Sequence, residues 1–280
     1  SLVFEGINYR ANIWFNGNLI ASADSTEGPF RMFDINITQY AKSKNRVAVE
    51  IFPPDPTSLT IGFVDWNPAP PDKNTGIWRG VKLNRSGKVS IDNVAISSVL
   101  SLEDYSEADL TLNAEIKNHS NENVSGIIKT KIENNISFEI PYDLLPNETK
   151  RIVLNKDTNP VLHIENPRVW WPINMGNPEL YSAEFSVFVA DELSHQKKER
   201  FGIREVSDYT FNIDGLVHRG YKINGKKILL KGGGWVDDLF LSDFDEKVRA
   251  QVEYVKHMNL NSIRLEGFWG NSKALYDACM

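Results

Sequence analysis

Three stretches of the chain gather side chains that could do chemistry. The first is Phe63-Val-Asp-Trp-Asn-Pro-Ala-Pro-Pro-Asp72, with Thr75-Gly-Ile-Trp-Arg79 behind it. Pro68, Pro70 and Pro71 stiffen the backbone, so polar groups on it would be held without much further ordering cost. Asp65, Trp66 and Asn67 together offer an acceptor, an aromatic face and an amide. Sugars bind through that combination, with C–H faces on the ring and hydroxyls on the carboxylate and amide. The plainer reading, favoured on composition alone, is a surface loop whose Trp packs on the sheet beneath.

The second stretch is Gly232-Gly-Gly-Trp-Val-Asp-Asp238, after the apolar run Lys227-Ile-Leu-Leu-Lys. A dinucleotide loop would need glycine at 237, where Asp stands, and two carboxylates would repel a phosphate. The stretch reads instead as a bend at the C-terminal end of a barrel strand, where active-site groups collect. Asp237 and Asp238 could face a ligand, be exposed, or cap the following helix. The third stretch is Arg264-Leu265-Glu266, at the end of a second strand. Alternation puts Arg264 and Glu266 on one side and Ile263 and Leu265 on the other. Glu266 could thus face a substrate or form a rim ion pair with Arg264.

Little else competes. The five histidines show no metal spacing, and there is no nucleophilic serine motif or Walker loop. Cys279 is the one cysteine, which excludes an intrachain disulfide and a cysteine zinc site. Neither a metal nor a cofactor is called for. The net charge of −6, without a dense Lys/Arg cluster, argues against a nucleic-acid partner. No apolar run approaches the roughly 20 residues of a membrane span.

The elements that must position these stretches are mostly strands. Residues 1–87 carry Ala11-Asn-Ile-Trp-Phe into an Asn16-Gly17 hairpin signal, then Arg46-Val-Ala-Val-Glu-Ile-Phe and Ile77-Trp-Arg-Gly-Val-Lys-Leu. That reads as an all-β sandwich of the jelly-roll type. Residues 88–206 continue in alternating strands, among them Asp109-Leu-Thr-Leu-Asn-Ala-Glu-Ile and Leu180-Tyr-Ser-Ala-Glu-Phe-Ser-Val-Phe-Val, and fit an immunoglobulin-like sandwich. Residues 207–280 change character. The strand-like run 227–231 precedes a helix with Ser242 or Asp243 as cap and Phe244, Val248, Val252, Val255 and Met258 on one stripe. A strand, Asn261–Glu266, and a helix from Ser272 follow. The order β-α-β-α implies parallel strands with right-handed crossovers. A complete eight-fold barrel takes about 250 residues, so this segment is expected to be the truncated opening of one, with open strand edges prone to association.

The order of these parts resembles glycoside hydrolase family 2, the β-galactosidase, β-mannosidase and exo-β-glucosaminidase group. The resemblance rests on Tyr9-Arg-Ala-Asn-Ile-Trp-Phe-Asn-Gly, Gly28-Pro-Phe-Arg-Met-Phe-Asp-Ile, Gly76-Ile-Trp-Arg-Gly-Val, Pro167-Arg-Val-Trp-Trp-Pro, Phe201-Gly-Ile-Arg and Ile223-Asn-Gly-Lys-Lys-Ile-Leu-Leu-Lys-Gly. Val64-Asp-Trp-Asn-Pro, Gly232-Gly-Gly-Trp-x-x-Asp-Leu-Phe-Leu and Ile263-Arg-Leu-Glu-Gly look most like the exo-β-D-glucosaminidase branch. Trp235 departs from its more usual Tyr, and Phe268-Trp269 looks partly like the mannosidase branch.

The resemblance implies a retaining exo-glycosidase acting on terminal β-linked glucosamine of chito-oligosaccharides, from a periplasmic or secreted parent. It implies substrate contacts from Asp65, Trp66, Asn67, Asp238 and Glu266, the last facing the sugar's 2-ammonium. Family members use two glutamates about 5–5.5 Å apart, near the ends of the fourth and seventh barrel strands. Neither strand is expected here, so no catalytic residue is assigned and the chain alone is expected to be inactive. A β-mannosidase or β-galactosidase parent would differ only in substrate. A non-catalytic carbohydrate-binding or adhesion module, the alternative from another class, has no use for the β-α-β-α segment.

Overall fold

The computed structural model of the chain describes residues 1–61, 70–133, 135–236, 244–265 and 272–280. They form two compact units. One comprises Ser1–Arg85, Gly234–Val248 and Ile263–Ala274; the other comprises Ser86–Gly233, Arg249–Ser262 and Leu275–Met280.

The first unit opens with β1 (Leu2–Phe4), β2 (Ile7–Asn8), β3 (Arg10–Phe15), β4 (Asn18–Ala21), β5 (Phe33–Ile35), β6 (Val47–Phe52), β7 (Gly76–Ile77) and β8 (Val81–Leu83). Two three-stranded antiparallel sheets, β5-β1-β8 and β4-β3-β6, and a short β2-β7 pair result. Alternation along β3 buries Ala11, Ile13 and Phe15, which join Leu2, Phe4 and Phe33 in one apolar cluster. Each large side chain so buried contributes roughly 1.5–3 kcal/mol. The hairpin expected at Asn16-Gly17 forms, with both residues at positive φ (52° and 86°) and Phe15 opposite Asn18.

The single strand expected from Ile77 is two strands. Backbone pairing continues between them, with Trp78 N donating to Gly6 O at 3.2 Å and Glu5 N to Gly80 O at 3.0 Å, but the register slips by one residue between Ile7↔Ile77 and Phe4↔Val81; the Trp78 indole N–H donates to the Pro29 carbonyl at 2.9 Å and its ring meets Phe30 edge-on.

The second unit holds β9 (Val89–Leu100), β10 (Glu107–Asn118), β11 (Val124–Ile132), β12 (Ile136–Leu144), β13 (Thr149–Leu154), β14 (His163–Glu165), β15 (Tyr181–Val189) and β16 (Glu192–Phe201). In one antiparallel sheet β10 pairs with β9, β13 and β14; the other runs β12-β11-β15-β16. Their inner faces share one apolar cluster, with Leu110, Leu112 and Ile116 from the first sheet and Ile128, Ile132 and Phe185 from the second. The sheets are laced along one edge by side chains. Ser194 Oγ donates to Val89 O at 2.7 Å, and His195 Nδ1 accepts from the Ile91 N–H at 3.0 Å.

β17 (Val206–Ile213), β18 (Leu216–Ile223) and β19 (Lys226–Ile228) follow as an antiparallel sheet. The chain then forms β20 (Gly232–Trp235), α1 (Asp245–His257), β21 (Ser262–Leu265) and α2 (Lys273–Ala278). β20 pairs with β21. Asn261 N and Ser262 N both donate to Lys231 O, so the two strands start side by side and run in the same direction. The strand expected over 227–231 is displaced onto the glycines themselves, since Leu229 and Leu230 are exposed and β19 ends at Ile228. A glycine is required there: a Cβ on Gly232 would lie 2.0 Å from Ser262 O. On α1 only Val248 of the expected stripe is buried, while Phe244 and Met258 are exposed. The expected caps, Ser242 and Asp243, lie outside the described residues.

Candidate functional site

Asp65, Trp66, Asn67, Asp238 and Glu266 all lie outside the described residues, as does Asp237. What the structure gives is the frame on either side of each. Ile61 and Pro70 bound the undescribed residues 62–69 of the first stretch, Val236 and Phe244 bound 237–243, Leu265 and Ser272 bound 266–271, and all six belong to the same compact unit.

The first frame is built on Asn8. This residue sits on β2 opposite Gly76 of β7 and is fully buried. Its Nδ2 donates to Lys73 O at 3.0 Å and to Asn74 O at 2.9 Å. Its Oδ1 accepts from the Thr60 hydroxyl at 2.9 Å. The two carbonyls can only accept, so the orientation of the amide is fixed by its partners. One side chain therefore ties Thr60, ahead of the first stretch, to Lys73 and Asn74 behind it. Lys73 and Asn74 both have positive φ (56° and 52°). For an L-residue that conformation costs roughly 1–2 kcal/mol, eased for Asn by local bonding. The turn is supported by Asp72, whose carboxylate accepts from Asn74 N and whose carbonyl accepts from Thr75 N and its hydroxyl.

Asn261 joins the start of β21 to the approach to β20. Its Oδ1 accepts from Lys231 N at 2.8 Å and its Nδ2 donates to Leu229 O at 2.9 Å. The primary amide thus stands in for one more peptide of the ladder at the start of β20. Parallel strands begun together also end together, so Trp235 and Leu265 stand at the same, C-terminal end of the pair. Arg264 is exposed on β21.

Asn8 and Asn261 are the positioning residues that sequence reasoning missed. Neither belongs to a motif, and each is recognisable only through distant partners.

The other polar groups found serve structure. Among the described residues no group of three or more His, Cys, Asp and Glu is placed to hold a metal. The Lys156 ammonium and then His163 hold the Asp109 carboxyl below its ordinary value by hydrogen bonding. A cleft of about 500 Å³ in the second unit is lined by Glu133, His163, Glu165 and Arg168. Arg168 is engaged by Glu133 at 3.3 Å and Glu179 at 3.5 Å, and lies over the Tyr181 ring.

Sheet content and order define the class: a multi-sheet β protein whose sandwiches lead into a parallel β-α-β-α segment. Residues 89–204 match the family model of Glycosyl hydrolases family 2. That segment belongs to the family. The chain is 35% identical over 268 residues to an exo-beta-D-glucosaminidase of Streptomyces avermitilis, covering 95% of this chain and 29% of that protein. It is 28% identical over 309 residues to a mannosylglycoprotein endo-beta-mannosidase of Lilium longiflorum, covering 98% of this chain and 31% of that protein. Among solved structures, the exo-chitosanase CsxA of Amycolatopsis orientalis superposes with a TM-score of 0.88 at 31% identity, over 99% of this chain and 32% of that one. A variant of CsxA has been solved in complex with PNP-beta-D-glucosamine. The chain thus spans less than a third of each of these proteins. Its relatives are glycosidases and act on carbohydrates, and no helix among the described residues is long and apolar enough to cross a membrane.

Proposed function

We propose that this chain is the sugar-recognition part of a retaining exo-β-D-glucosaminidase that removes terminal glucosamine from chito-oligosaccharides. In this reading residues 1–87 form a jelly-roll sandwich, 88–206 an immunoglobulin-like sandwich and 207–280 the opening of a catalytic β/α barrel. Asp65, Trp66, Asn67, Asp238 and Glu266 contact the substrate. The observation that carries the reading is that the described flanks of all three stretches belong to one compact unit, although they come from separate parts of the chain.

The chemistry follows from the substrate. Glucosamine differs from mannose and galactose in carrying an ammonium at C2. A carboxylate at 266 would make a charge-assisted bond to it, stronger than a bond to a neutral hydroxyl. Trp66 would supply an apolar face for a pyranose ring, and Asp65 and Asn67 would take hydroxyls. The two glutamates that cleave the bond are assigned to barrel strands beyond β21, so none of these five residues is given the acid/base or nucleophile role.

The test is Glu266→Gln in the enzyme that contains this chain. The amide keeps shape and loses charge, so kcat/KM for a β-glucosaminide should fall about 100-fold, and that for a β-mannoside by less than about 3-fold; a lost charged hydrogen bond of 1.5–3 kcal/mol sets that scale. Equal losses on both substrates would remove the ammonium contact. A wild-type enzyme preferring the mannoside would establish the runner-up reading, which the similarity to the lily mannosidase supports.

A further inference from the structure

We infer that the cleft between β14 and the β11–β12 turn is a binding site for a saccharide that carries protonated amines, of the kind a β-linked glucosamine oligomer presents; that this sugar is the one offered to it rests on the function proposed above. The cleft holds about 500 Å³, within the range of sites that take small ligands, roughly 300–1,000 Å³. Both sheets of the sandwich build it. Ile132, Glu133 and Ile136 come from β11, β12 and the turn between them, and His163, Ile164 and Glu165 from β14. β12 and β14 are each the last strand of their sheet, so the cleft opens between two sheet edges. All of these residues belong to the second unit.

The hydrogen-bond account of the cleft selects the ligand. Its strongest donor is already spent. Arg168 Nη2 donates to Glu133 Oε1 and to Leu180 O, and Nη1 faces Glu179 at 3.5 Å. Acceptors are left over. Glu133 Oε1 takes both Arg168 and the Ser182 N–H, while Oε2 makes no hydrogen bond among the described residues. Glu165 is exposed, and its carboxylate likewise makes none there. His163 is held through Nδ1 by the Asp109 carboxylate at 2.8 Å. An ionised carboxylate can only accept, so the ring proton sits on Nδ1 and Nε2 offers a lone pair. Two spare carboxylate edges and an imidazole acceptor call for a ligand that donates and is positively charged. Sugar hydroxyls donate, and an ammonium on the ring adds charge to the same contact. Ile136, Ile164 and the exposed Val161 give the C–H faces of the ring an apolar wall. Anionic ligands meet Glu133 and Glu165, and no three metal-binding side chains converge among the described residues. Glu133 is also set in advance: its φ is 50°, and its own N–H donates to Ser182 O at 2.9 Å. Holding a recognition group in place before binding lowers the cost of ordering it.

Amide NMR of the 280-residue chain, titrated with the trimer of β-linked glucosamine, tests the inference. Saturable shifts are expected at Glu133, Ile136, His163, Ile164 and Glu165. Cellotriose, with a hydroxyl in place of each ammonium, should bind roughly tenfold more weakly, as should a lysine tripeptide, which has the charge without the rings. Glu165→Gln alters an exposed side chain without a partner, so the fold should stand. It should weaken binding of the glucosamine trimer about tenfold and of cellotriose less than about twofold. The absence of shifts at the cleft overturns the inference, and so does a dissociation constant for the trimer that Glu165→Gln leaves unchanged. A lysine tripeptide binding as tightly as the trimer also overturns it, by reducing the cleft to an acidic surface. Shifts confined to residues 60–61 and 70–74 refute the cleft and leave the proposed function standing. Cleft binding by a chain whose whole enzyme prefers a β-mannoside does the reverse.

Discussion

The sandwich of β9–β16 and the segment from β17 onward are held by different forces. In the sandwich, apolar alternation does the work. Along β10 the residues Ala108, Leu110, Leu112, Ala114 and Ile116 are all buried, and they face an equally apolar opposing sheet. From Val206 on, the buried hydrophobics among the described residues are Val248, Ala274 and Leu275, while Ile213, Leu216, Val217, Leu229 and Tyr254 are more than half exposed. Order there comes from hydrogen bonds, with Asn261 bridging the start of β20 and Asn224 bonding Glu205 and Trp170. The sandwich closes its own core; the later segment has its backbone paired and its apolar surface largely uncovered. The frames beside the candidate stretches follow the second pattern, since amides tie them.

The difference is largest for a single truncation made in each region. Leu112→Ala removes a side chain that is 1% exposed between two sheets. It should cost about 3–5 kcal/mol, a transfer loss plus the cavity left behind. Leu229→Ala removes one that is 78% exposed and should change stability by less than about 0.5 kcal/mol. Urea unfolding of the 280-residue chain measures both. Comparable losses would mean that Leu229 is covered in solution, and the contrast between the regions would fail.

The same contrast decides what was legible in the sequence. Alternation announces β9–β16 because burial there depends on residue type at period two. The Asn16-Gly17 hairpin is legible because a two-residue turn of that chirality needs those residue types. The one-residue slip that divides β7 from β8 is marked by no residue type near Trp78, whose indole partner Pro29 lies 49 residues away. The β17–β18 hairpin has an Asp214-Gly215 turn at positive φ, but its strands carry exposed apolar residues at Ile213, Leu216 and Val217, so no clean pattern marks them. Residue type and resemblance mark the candidate stretches, whereas no local motif marks Asn8 or Asn261. The value of an amide lies in its partners, and those are distant in sequence.

Acid should open the sandwich at its laced edge. His195 accepts the Ile91 N–H through Nδ1, which requires the ring to be unprotonated there. Burial lowers its pKa from the usual 6.5, with Asp92 opposing and Lys197 assisting. A folded pKa below the unfolded one means that the unfolded state binds the proton more readily. Stability from this group is therefore complete above about pH 6.5 and is lost as pH falls through the lower folded value. Asp104, Asp109 and Glu184 also have lowered pKa values, but their losses begin only near the ordinary carboxylate range, 3.8 to 4.5. The urea midpoint should thus fall between pH 6.5 and 4.5 in the parent chain. In His195→Asn, whose Oδ1 can accept the same N–H at any pH, it should stay flat. An equal slope in both would assign the decline elsewhere.

The smallest expected change is a gain, and it tests how fully apolar packing governs the sandwich. Thr130 is 2% exposed, and its hydroxyl has no hydrogen-bond partner among the described residues. It lies on β11 between Phe138 of β12 and Phe185 of β15. A buried hydroxyl left unpaired loses its hydration without recompense. Thr130→Val keeps the branched shape and the strand preference and removes the orphaned group. It should stabilise the chain by about 1 kcal/mol, raising the urea midpoint at an unchanged slope. Thr130→Ser keeps the hydroxyl, loses a packed methyl, and should destabilise. If the valine chain is instead the weaker one, the hydroxyl has a partner in solution, and the core of the sandwich relies on a polar contact as the loop frames do.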